Sequence, residues 1–313
     1  LPQASGRIVD DLMYKHWDHW VESVPHPFIA DLNGSSLSNI KDIMEGEPYE
    51  SPLAPFGGME QLAWSPDNKT IAYTSRKKTG KEYAISTNSD IYFYNIETGE
   101  TKNMTEGMMG YDINPQFSPD GTLLAWQSME RDGYEADKNR LFIMNLSTGE
   151  KTYITEKFDN NTDSYIWGED NNTIYMLSSV AGTSQIYHID LSTKEIKKLT
   201  EGKHNYVSLS LGADGFIATR QSMSQPTEIY SVNKNTGEST ELSFENSHIL
   251  TQLQMGEIEE RWIETTDKKQ MLTWVVYPPN FDPTKKYPAL LYCQGGPQST
   301  LDQYWSYRWN PQM

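Results

Sequence analysis

The pattern of apolar and polar residues repeats four times along the chain. In each repeat, an apolar or aromatic segment leads into a turn that holds Asp with Asn or Gly beside it, and a second apolar segment follows. The four copies are LAWSPDNKTIAYTS (62–75), PQFSPDGTLLAWQS (115–128), YIWGEDNNTIYMLS (165–178) and LSLGADGFIATRQS (209–222). The turn residues Asp67, Asp120, Asp170 and Asp214 recur about every 50 residues, a spacing typical of propeller blades.

A second hairpin follows each of these units. Its apolar residues alternate with polar ones and lead to Asn or Asp, then to Thr-Gly-Glu or a close variant, and then to a further short strand. The four copies are DIYFYNIETGETKNMTEG (90–107), RLFIMNLSTGEKTYITEK (140–157), QIYHIDLSTKEIKKLTEG (185–202) and EIYSVNKNTGESTELSFE (228–245). Alternation with a period of two indicates strands. Two hairpins per repeat predict four-stranded blades, and therefore an all-β fold built as a β-propeller.

The first repeat is incomplete. Residues 26–47 match the second hairpin of a blade, and residues 6–21 could supply the strand before it, but no Asp-containing first hairpin precedes them. We therefore expect a partial propeller of about four to five blades that begins within a blade. The turn aspartates and the Thr-Gly-Glu turns are expected to be structural, because Asp, Asn and Gly suit tight turns through their own backbone hydrogen bonds and positive φ angles.

Composition narrows the choice of partners. The formal net charge is −17, and so acidic a surface disfavours binding to nucleic acid or to an anionic membrane. The single cysteine, Cys293, cannot form an internal disulfide. No sequence feature requires a cofactor. His16 and His19 invite a metal interpretation, but on a continuous strand they would face opposite sides while His16 and Asp18 share one, so we expect no metal site there.

The pattern changes after residue 256. Residues 257–300 predict a strand, a charged turn, a second strand MLTWVVYPP (271–279), a Pro-rich linker and an apolar strand ALLYCQ (289–294) that runs into Gly-Gly-Pro. This segment closely resembles the junction between propeller and α/β-hydrolase domain in serine peptidases of the prolyl oligopeptidase family. It is most similar to the acylaminoacyl-peptidase branch and its bacterial dipeptidyl peptidase V relatives.

The resemblance implies a propeller over residues 1–256 and the first strands of an α/β-hydrolase domain over 257–313. It also implies that Gln294, at the position of the family's oxyanion donor, helps to bind the oxyanion through its side-chain amide, or else through its backbone N–H. Gly295 and Gly296 would let substrate approach closely, whereas Cys293 is expected to be a packed core thiol. No G-x-S-x-G motif occurs, so the Ser/Asp/His triad is expected beyond Met313 and the chain alone is expected to be inactive.

In the resembled family the propeller restricts access to short peptide substrates, and a parent enzyme of this kind would release dipeptides or blocked amino acids. The aromatic cluster of Tyr14, Trp17 and Trp20 is a candidate for shaping the substrate pocket, with ordinary packing as the alternative. The resemblance allows a homodimer of the parent enzyme and favours a periplasmic or secreted location. The competing hypothesis is a non-catalytic TolB-like propeller that binds a protein partner, but such a propeller has no use for the strands that lead to Gly-Gly-Pro.

Overall fold

The computed structural model describes residues 5–293, 295–296 and 299–312. The chain divides into two compact units, one of Leu1–Lys157 with Glu169–Asn171 and the other of Phe158–Gly168 with Asn172–Met313. Strands dominate both units, as the alternating pattern predicts. No helix in the described residues is long and apolar enough to cross a membrane.

The first unit contains two four-stranded antiparallel sheets and two shorter hairpins, each with its strands in chain order. The hairpins are β1–β2 (Lys15–His16, His19–Trp20) and β3–β4 (Phe28–Asn33, Ser36–Asp42), and the four-stranded sheets are β5–β8 (Leu62–Trp64, Thr70–Ser75, Asp90–Asn95, Thr101–Asn103) and β9–β12 (Asp112–Phe117, Leu123–Ser128, Arg140–Asn145, Lys151–Tyr153). A turn of 3₁₀ helix, Met59–Gln61, precedes β5, and the short helix α1, Gly80–Ile85, lies between β6 and β7.

The second unit contains two more four-stranded sheets and a final hairpin. The sheets are β13–β16 (Ser164–Trp167, Thr173–Val180, Thr183–Asp190, Glu195–Lys198) and β17–β20 (Asn205–Gly212, Gly215–Ser222, Gln225–Val232, Ser239–Glu241), and the hairpin is β21–β22 (Ile258–Glu264, Gln270–Val276). Helix α2, Ser247–Leu250, follows β20. Each four-stranded sheet is one of the predicted blades, so the four complete blades expected from the repeats are confirmed.

Tight turns hold the strands of a blade in register. In the first complete blade, Ser65 Oγ donates to Asp67 Oδ1 at 2.6 Å and the backbone N–H of Lys69 donates to the same oxygen at 3.1 Å. At the other turn, Asn95 Oδ1 accepts from the backbone N–H of Thr98 at 2.8 Å, and Gly99 has a φ of 73° that favours glycine. Asp120 repeats the bond of Asp67 with Ser118 at 2.7 Å. The predicted structural role is confirmed at these turns.

Apolar side chains fill the space between neighbouring sheets within each unit. In the first unit Ala72 and Ile91 of one blade pack with Leu124, Trp126 and Met144 of the next, and all five are buried. In the second unit an equivalent cluster joins its two blades, formed by Leu177, Ile186, Tyr206, Phe216, Ala218, Tyr230 and Val232. Because blades bury their apolar faces against neighbours, each unit is stabilised by this face-to-face contact.

Two expectations for the ends of the chain are wrong. The segment 6–21 does not supply a strand to the β3–β4 hairpin, because Trp17 takes a φ of 56° and turns the chain back so that His16 pairs with His19 in a separate small sheet. The predicted apolar strand 289–294 is not a strand over its described residues, and Leu290 is 99% exposed. A strand needs a partner for its backbone groups, and the described chain offers none to this segment.

Candidate functional site

The β1–β2 hairpin carries the aromatic residues singled out in the sequence. Trp17 stands at its turn, 83% exposed, with its ring 6.2 Å from that of Phe56. Trp20 is 40% exposed and lies between two cations, the guanidinium carbon of Arg7 at 4.3 Å and the Lys15 ammonium at 4.6 Å from the ring centre. The two indoles therefore form an exposed aromatic surface on the hairpin.

The hairpin also positions His16 at a cavity that the sequence did not reveal. This cavity of about 210 Å³ is lined by residues of four segments, among them Asp11, His16, Glu50, Lys78 and Tyr83. His16 lies with its ring centre 6.0 Å from that of Tyr83 and its Nε2 3.7 Å from Glu50 Oε2. Neither Trp17 nor Trp20 lines the cavity, whereas His16, which directly precedes Trp17 in the chain, does.

Glu50 is the central side chain of this cavity. It is only 7% exposed, and its Oε1 accepts hydrogen bonds from the Tyr83 hydroxyl and from the backbone N–H of Ala54 at 3.1 Å. Within the described ranges no lysine or arginine lies at ion-pair distance from this carboxylate, although Lys78 lines the same cavity. A buried carboxylate whose nearest basic nitrogen is a histidine at 3.7 Å gains from a closer cation, so the cavity is suited to a small cation.

Tyr83 connects Glu50 to a buried arginine. Burial raises the pKa of the Tyr83 hydroxyl well above its usual value, and its hydrogen bond to Glu50 raises the pKa further, so the group remains a donor at neutral pH. The Arg76 guanidinium carbon lies 4.2 Å from the centre of the Tyr83 ring. Tyr83 belongs to α1 and Arg76 directly follows β6, so both lie in the connection between the second and third strands of the first complete blade.

This connection is longer than its counterparts in the second unit. It covers residues 76–89 here, whereas residues 181–182 and 223–224 suffice in the two blades of the second unit. No motif in the sequence marks Glu50, Arg76 or Tyr83, but the length of this insertion was a signal that could have identified the region, since long loops often carry function.

The sequence argument against a metal site at this hairpin assumed a continuous strand, which is the wrong geometry. His16 and His19 are direct cross-strand partners, so they share one face and do not point to opposite sides. The side chain of His19 lies 3.3 Å from Asp18 and is 85% exposed, while His16 turns towards Glu50. Across the described residues no group of three His, Cys, Asp or Glu side chains is arranged to hold a metal ion.

The Gly-Gly-Pro loop is described only in part. Gln294, the predicted oxyanion donor, lies outside the described residues. Gly295 has open space where a side chain would stand, and Gly296 has a φ of 151°. Cys293 is exposed, so the expectation of a packed core thiol is wrong, because no described strand covers this segment.

The residues after that loop are anchored on the blades of the second unit. The backbone N–H of Gln303 donates to Gly182 O at 3.2 Å, and its side-chain Oε1 accepts from Met223 N at 3.3 Å. Gly182 and Met223 both belong to connections between the second and third strands of their blades. Gln312 adds a bond to Ser224 Oγ at 2.9 Å. Gln303 and Gln312 therefore bind the connections between the second and third strands in the blades of the second unit.

Comparison with curated proteins identifies close relatives. The chain is 52% identical over 310 residues to dipeptidyl-peptidase 5 of Porphyromonas gingivalis, covering 99% of this chain and 45% of that protein. It is 28% identical over 335 residues to dipeptidyl-peptidase 5 of Aspergillus fumigatus, covering 99% of this chain and 46% of that protein. The resemblance seen in the sequence is confirmed, and the chain spans less than half the length of these relatives.

A solved structure and a family profile agree with the blades described above. The acylaminoacyl peptidase of Pyrococcus horikoshii superposes with a TM-score of 0.55 at 19% identity, over 71% of this chain and 33% of that chain, which shows a shared fold. The profile of the TolB beta propeller domain matches residues 60–252. Because this match covers more than half of the sequence, the chain belongs to the TolB beta propeller domain family.

Proposed function

We propose that this chain is the propeller region of a serine exopeptidase that releases dipeptides from the free N-terminus of short peptides. The proposal rests on Glu50, a buried carboxylate that faces a cavity and that, among the described residues, has His16 at 3.7 Å but no lysine or arginine at ion-pair distance. The relatives named dipeptidyl-peptidase 5 support the class of reaction. The same relatives favour this function over a TolB-like propeller that only binds a protein partner.

Glu50 also favours one of the two activities that the sequence left open. The α-ammonium of a peptide would pair with the Glu50 carboxylate through charge-assisted hydrogen bonds. A peptide with a blocked N-terminus has no positive charge there, so it would leave the buried carboxylate uncompensated. The cavity therefore supports a dipeptidyl peptidase over an acylaminoacyl peptidase. Asp11, which lines the same cavity, adds negative charge, whereas Lys78 opposes it.

The remaining site assignments follow the domain division expected from the sequence. In this proposal residues 1–256 form the propeller and residues 257–313 begin the α/β-hydrolase domain. Gln294 donates a hydrogen bond to the oxyanion, Gly295 and Gly296 leave room for the substrate backbone, and Trp17 and Trp20 border the entrance to the Glu50 cavity. The open space at Gly295 supports its role of leaving room for the substrate backbone. The serine nucleophile comes from the rest of the longer protein.

The proposal is tested with the full-length protein that contains this chain. It should hydrolyse Ala-Ala-p-nitroanilide and be labelled by a fluorophosphonate probe. Gln294→Ala should lower kcat by about 10²–10³-fold with KM little changed, because an oxyanion donor acts mainly in the transition state. Gln254→Ala, which removes an exposed amide bonded to Asn280, is the matched control. Absence of both hydrolysis and labelling would refute the peptidase function, whereas unchanged kcat in Gln294→Ala would refute only the side-chain role.

We also infer that the enzyme acts outside the cytoplasm, in the periplasm or as a secreted protein. The inference rests on the resemblance to exported peptidases, since a single cysteine leaves the redox compartment open. Fractionation of cells that express the full-length protein should recover dipeptidyl-peptidase activity outside the cytoplasmic fraction. Recovery of the activity with a cytoplasmic marker would contradict it.

A further inference from the structure

We propose that Arg76 forms a binding site for a ligand carboxylate in a cavity beside α1. The cavity has a volume of about 250 Å³ and is lined by Arg76, Ser86, Thr87, Gly133 and Glu135, among others. It is formed by the two long connections between second and third strands in the first unit, residues 76–89 and 129–139. This site does not depend on the peptidase function proposed above, because it is defined by binding alone.

Arg76 is buried and incompletely bonded. It is 9% exposed, and its Nη1 donates to the backbone oxygen of Ser86 at 2.6 Å while its guanidinium stacks on Tyr83. Its Nε is buried and has no acceptor among the described atoms. A guanidinium carries five N–H donors, so the observed bonds use only a small part of its capacity.

The charge of Arg76 is also not neutralised by any carboxylate of the described residues. No carboxylate in the described part of the chain lies within ion-pair distance of it. Glu50 bonds to the Tyr83 hydroxyl instead, and Glu135, which lines the cavity, is an exposed residue. Buried charges are nearly always paired, and a guanidinium matches the geometry of a carboxylate through two parallel hydrogen bonds. The missing partner is therefore a carboxylate supplied by a ligand.

The cavity suits the end or the side chain of a small peptide. Its volume is below the roughly 300 Å³ at which pockets for drug-sized ligands begin, so it accommodates a group the size of an amino-acid residue. A free C-terminal carboxylate and an Asp or Glu side chain both present the required group. Glu135 lines the cavity and competes as an internal anion, so its removal should favour the ligand. Asp132 does not line the cavity, because its Oδ1 accepts hydrogen bonds from Ser86 Oγ at 2.6 Å and from the backbone N–H of Thr87 at 2.9 Å.

Isothermal titration calorimetry on the purified protein tests this site with N-acetylated peptides, which carry no ammonium for Glu50. Acetyl-Ala-Ala should bind at least about tenfold more tightly than acetyl-Ala-Ala-amide. Acetyl-Ala-Glu-amide shows which kind of carboxylate the site takes. If it binds as tightly as acetyl-Ala-Ala, the site accepts acidic side chains as well as C-terminal carboxylates. If it binds as weakly as acetyl-Ala-Ala-amide, the site takes C-terminal carboxylates. Glu135→Gln should strengthen the binding of acetyl-Ala-Ala.

Two variants of Arg76 complete the test. Arg76→Met should abolish the preference for the carboxylate, and Arg76→Lys should weaken it several-fold, because lysine keeps the charge but not the paired donors. Arg131→Met removes an exposed arginine, bonded to Asp137, from the adjacent connection and should change nothing. Equal binding of acetyl-Ala-Ala and its amide, or no binding of either, would overturn the proposal. The proposal would also be overturned if Arg76→Lys and a folded Arg76→Met both bound acetyl-Ala-Ala like the wild type. If Arg76→Met does not fold, the result for Arg76→Lys alone decides.

Discussion

The hydroxyl of Tyr83 donates a hydrogen bond to the carboxylate of Glu50, which lies 33 residues earlier in the chain. This bond joins the connection before the first complete blade to the insertion within that blade. It fixes Oε1 of Glu50, while Oε2 has His16 Nε2 at 3.7 Å as its basic neighbour among the described residues. Tyr83 therefore acts as a positioning residue that orients the carboxylate towards the cavity.

Tyr83→Phe should raise KM for Ala-Ala-p-nitroanilide by about tenfold in the full-length enzyme, with kcat nearly unchanged. The physical reason is the loss of one hydrogen bond to a charged group, which lets the carboxylate take other orientations. Tyr134→Phe, in the adjacent connection and stacked under Arg131, is the control and should leave KM unchanged. A fall in kcat with unchanged KM would show that Tyr83 does not act through substrate binding.

Trp17→Ala should raise KM for dipeptide substrates several-fold without loss of thermal stability. The indole is 83% exposed, so its removal costs the fold little, whereas a side chain at the entrance of the cavity would contact substrate. Trp20→Ala is expected to act in the same direction and to release Arg7 and Lys15 as well. Trp262→Ala removes an exposed indole from β21 as a control. If KM stays the same in both hairpin variants, these residues have no part in substrate binding.

Asp112 should make the protein less stable as the pH rises from about 4 to about 7. Burial raises the pKa of this carboxyl from 3.8 to about 7, so in that range the native state holds a proton that the unfolded state has released. Asp112→Asn should remove this loss. Between pH 4 and pH 8, the free energy of unfolding of the variant should therefore rise relative to that of the wild type by on the order of a few kcal/mol.

Urea unfolding of both proteins across this range measures the effect. Trp126 Nε1 donates a hydrogen bond to Asp112 Oδ1 at 3.1 Å. The amide oxygen of asparagine can accept the same hydrogen bond, so the substitution preserves it. Parallel pH curves for the two proteins would contradict the raised pKa.

His204 should have the opposite pH dependence. Burial, and then the nearby Arg220, lower the pKa of His204 from 6.5 to about 4. As the pH falls from 6.5 to about 4, the unfolded state gains a proton that the native state does not accept, so the stability from this group is lost. In His204→Gln this loss should disappear.

The difference between variant and wild type isolates this contribution from that of Asp112, which acts in the same range with opposite sign. His248→Gln, at an exposed residue of α2, is the control and should follow the wild type. A wild-type pH curve for His204→Gln would contradict the assignment.

The blades could be predicted from the sequence because each depends on local pairing and on turns such as those of Asp67 and Asn95. The site around Glu50 could not, since Glu50 comes from one segment, Arg76 and Tyr83 come from another, and no motif links the three residues. The hairpin of Trp17 was missed because a positive φ at a tryptophan is rare and no glycine marks the turn. The strand expected at 289–294 is absent over its described residues for another reason: an apolar pattern forms a strand only where a partner strand is present.

In the proposed function, Glu50 recognises the free N-terminus of the substrate. The most direct test compares kcat/KM for Ala-Ala-p-nitroanilide and acetyl-Ala-Ala-p-nitroanilide in the full-length enzyme and in Glu50→Gln, with Glu82→Gln on α1 as the control. Loss of a buried charge partner should lower kcat/KM for the free substrate by about 100-fold and leave the blocked substrate nearly unchanged, so that the preference for a free amine collapses. If Glu50→Gln keeps the wild-type preference, Glu50 does not bind the substrate amine and the proposed site is wrong.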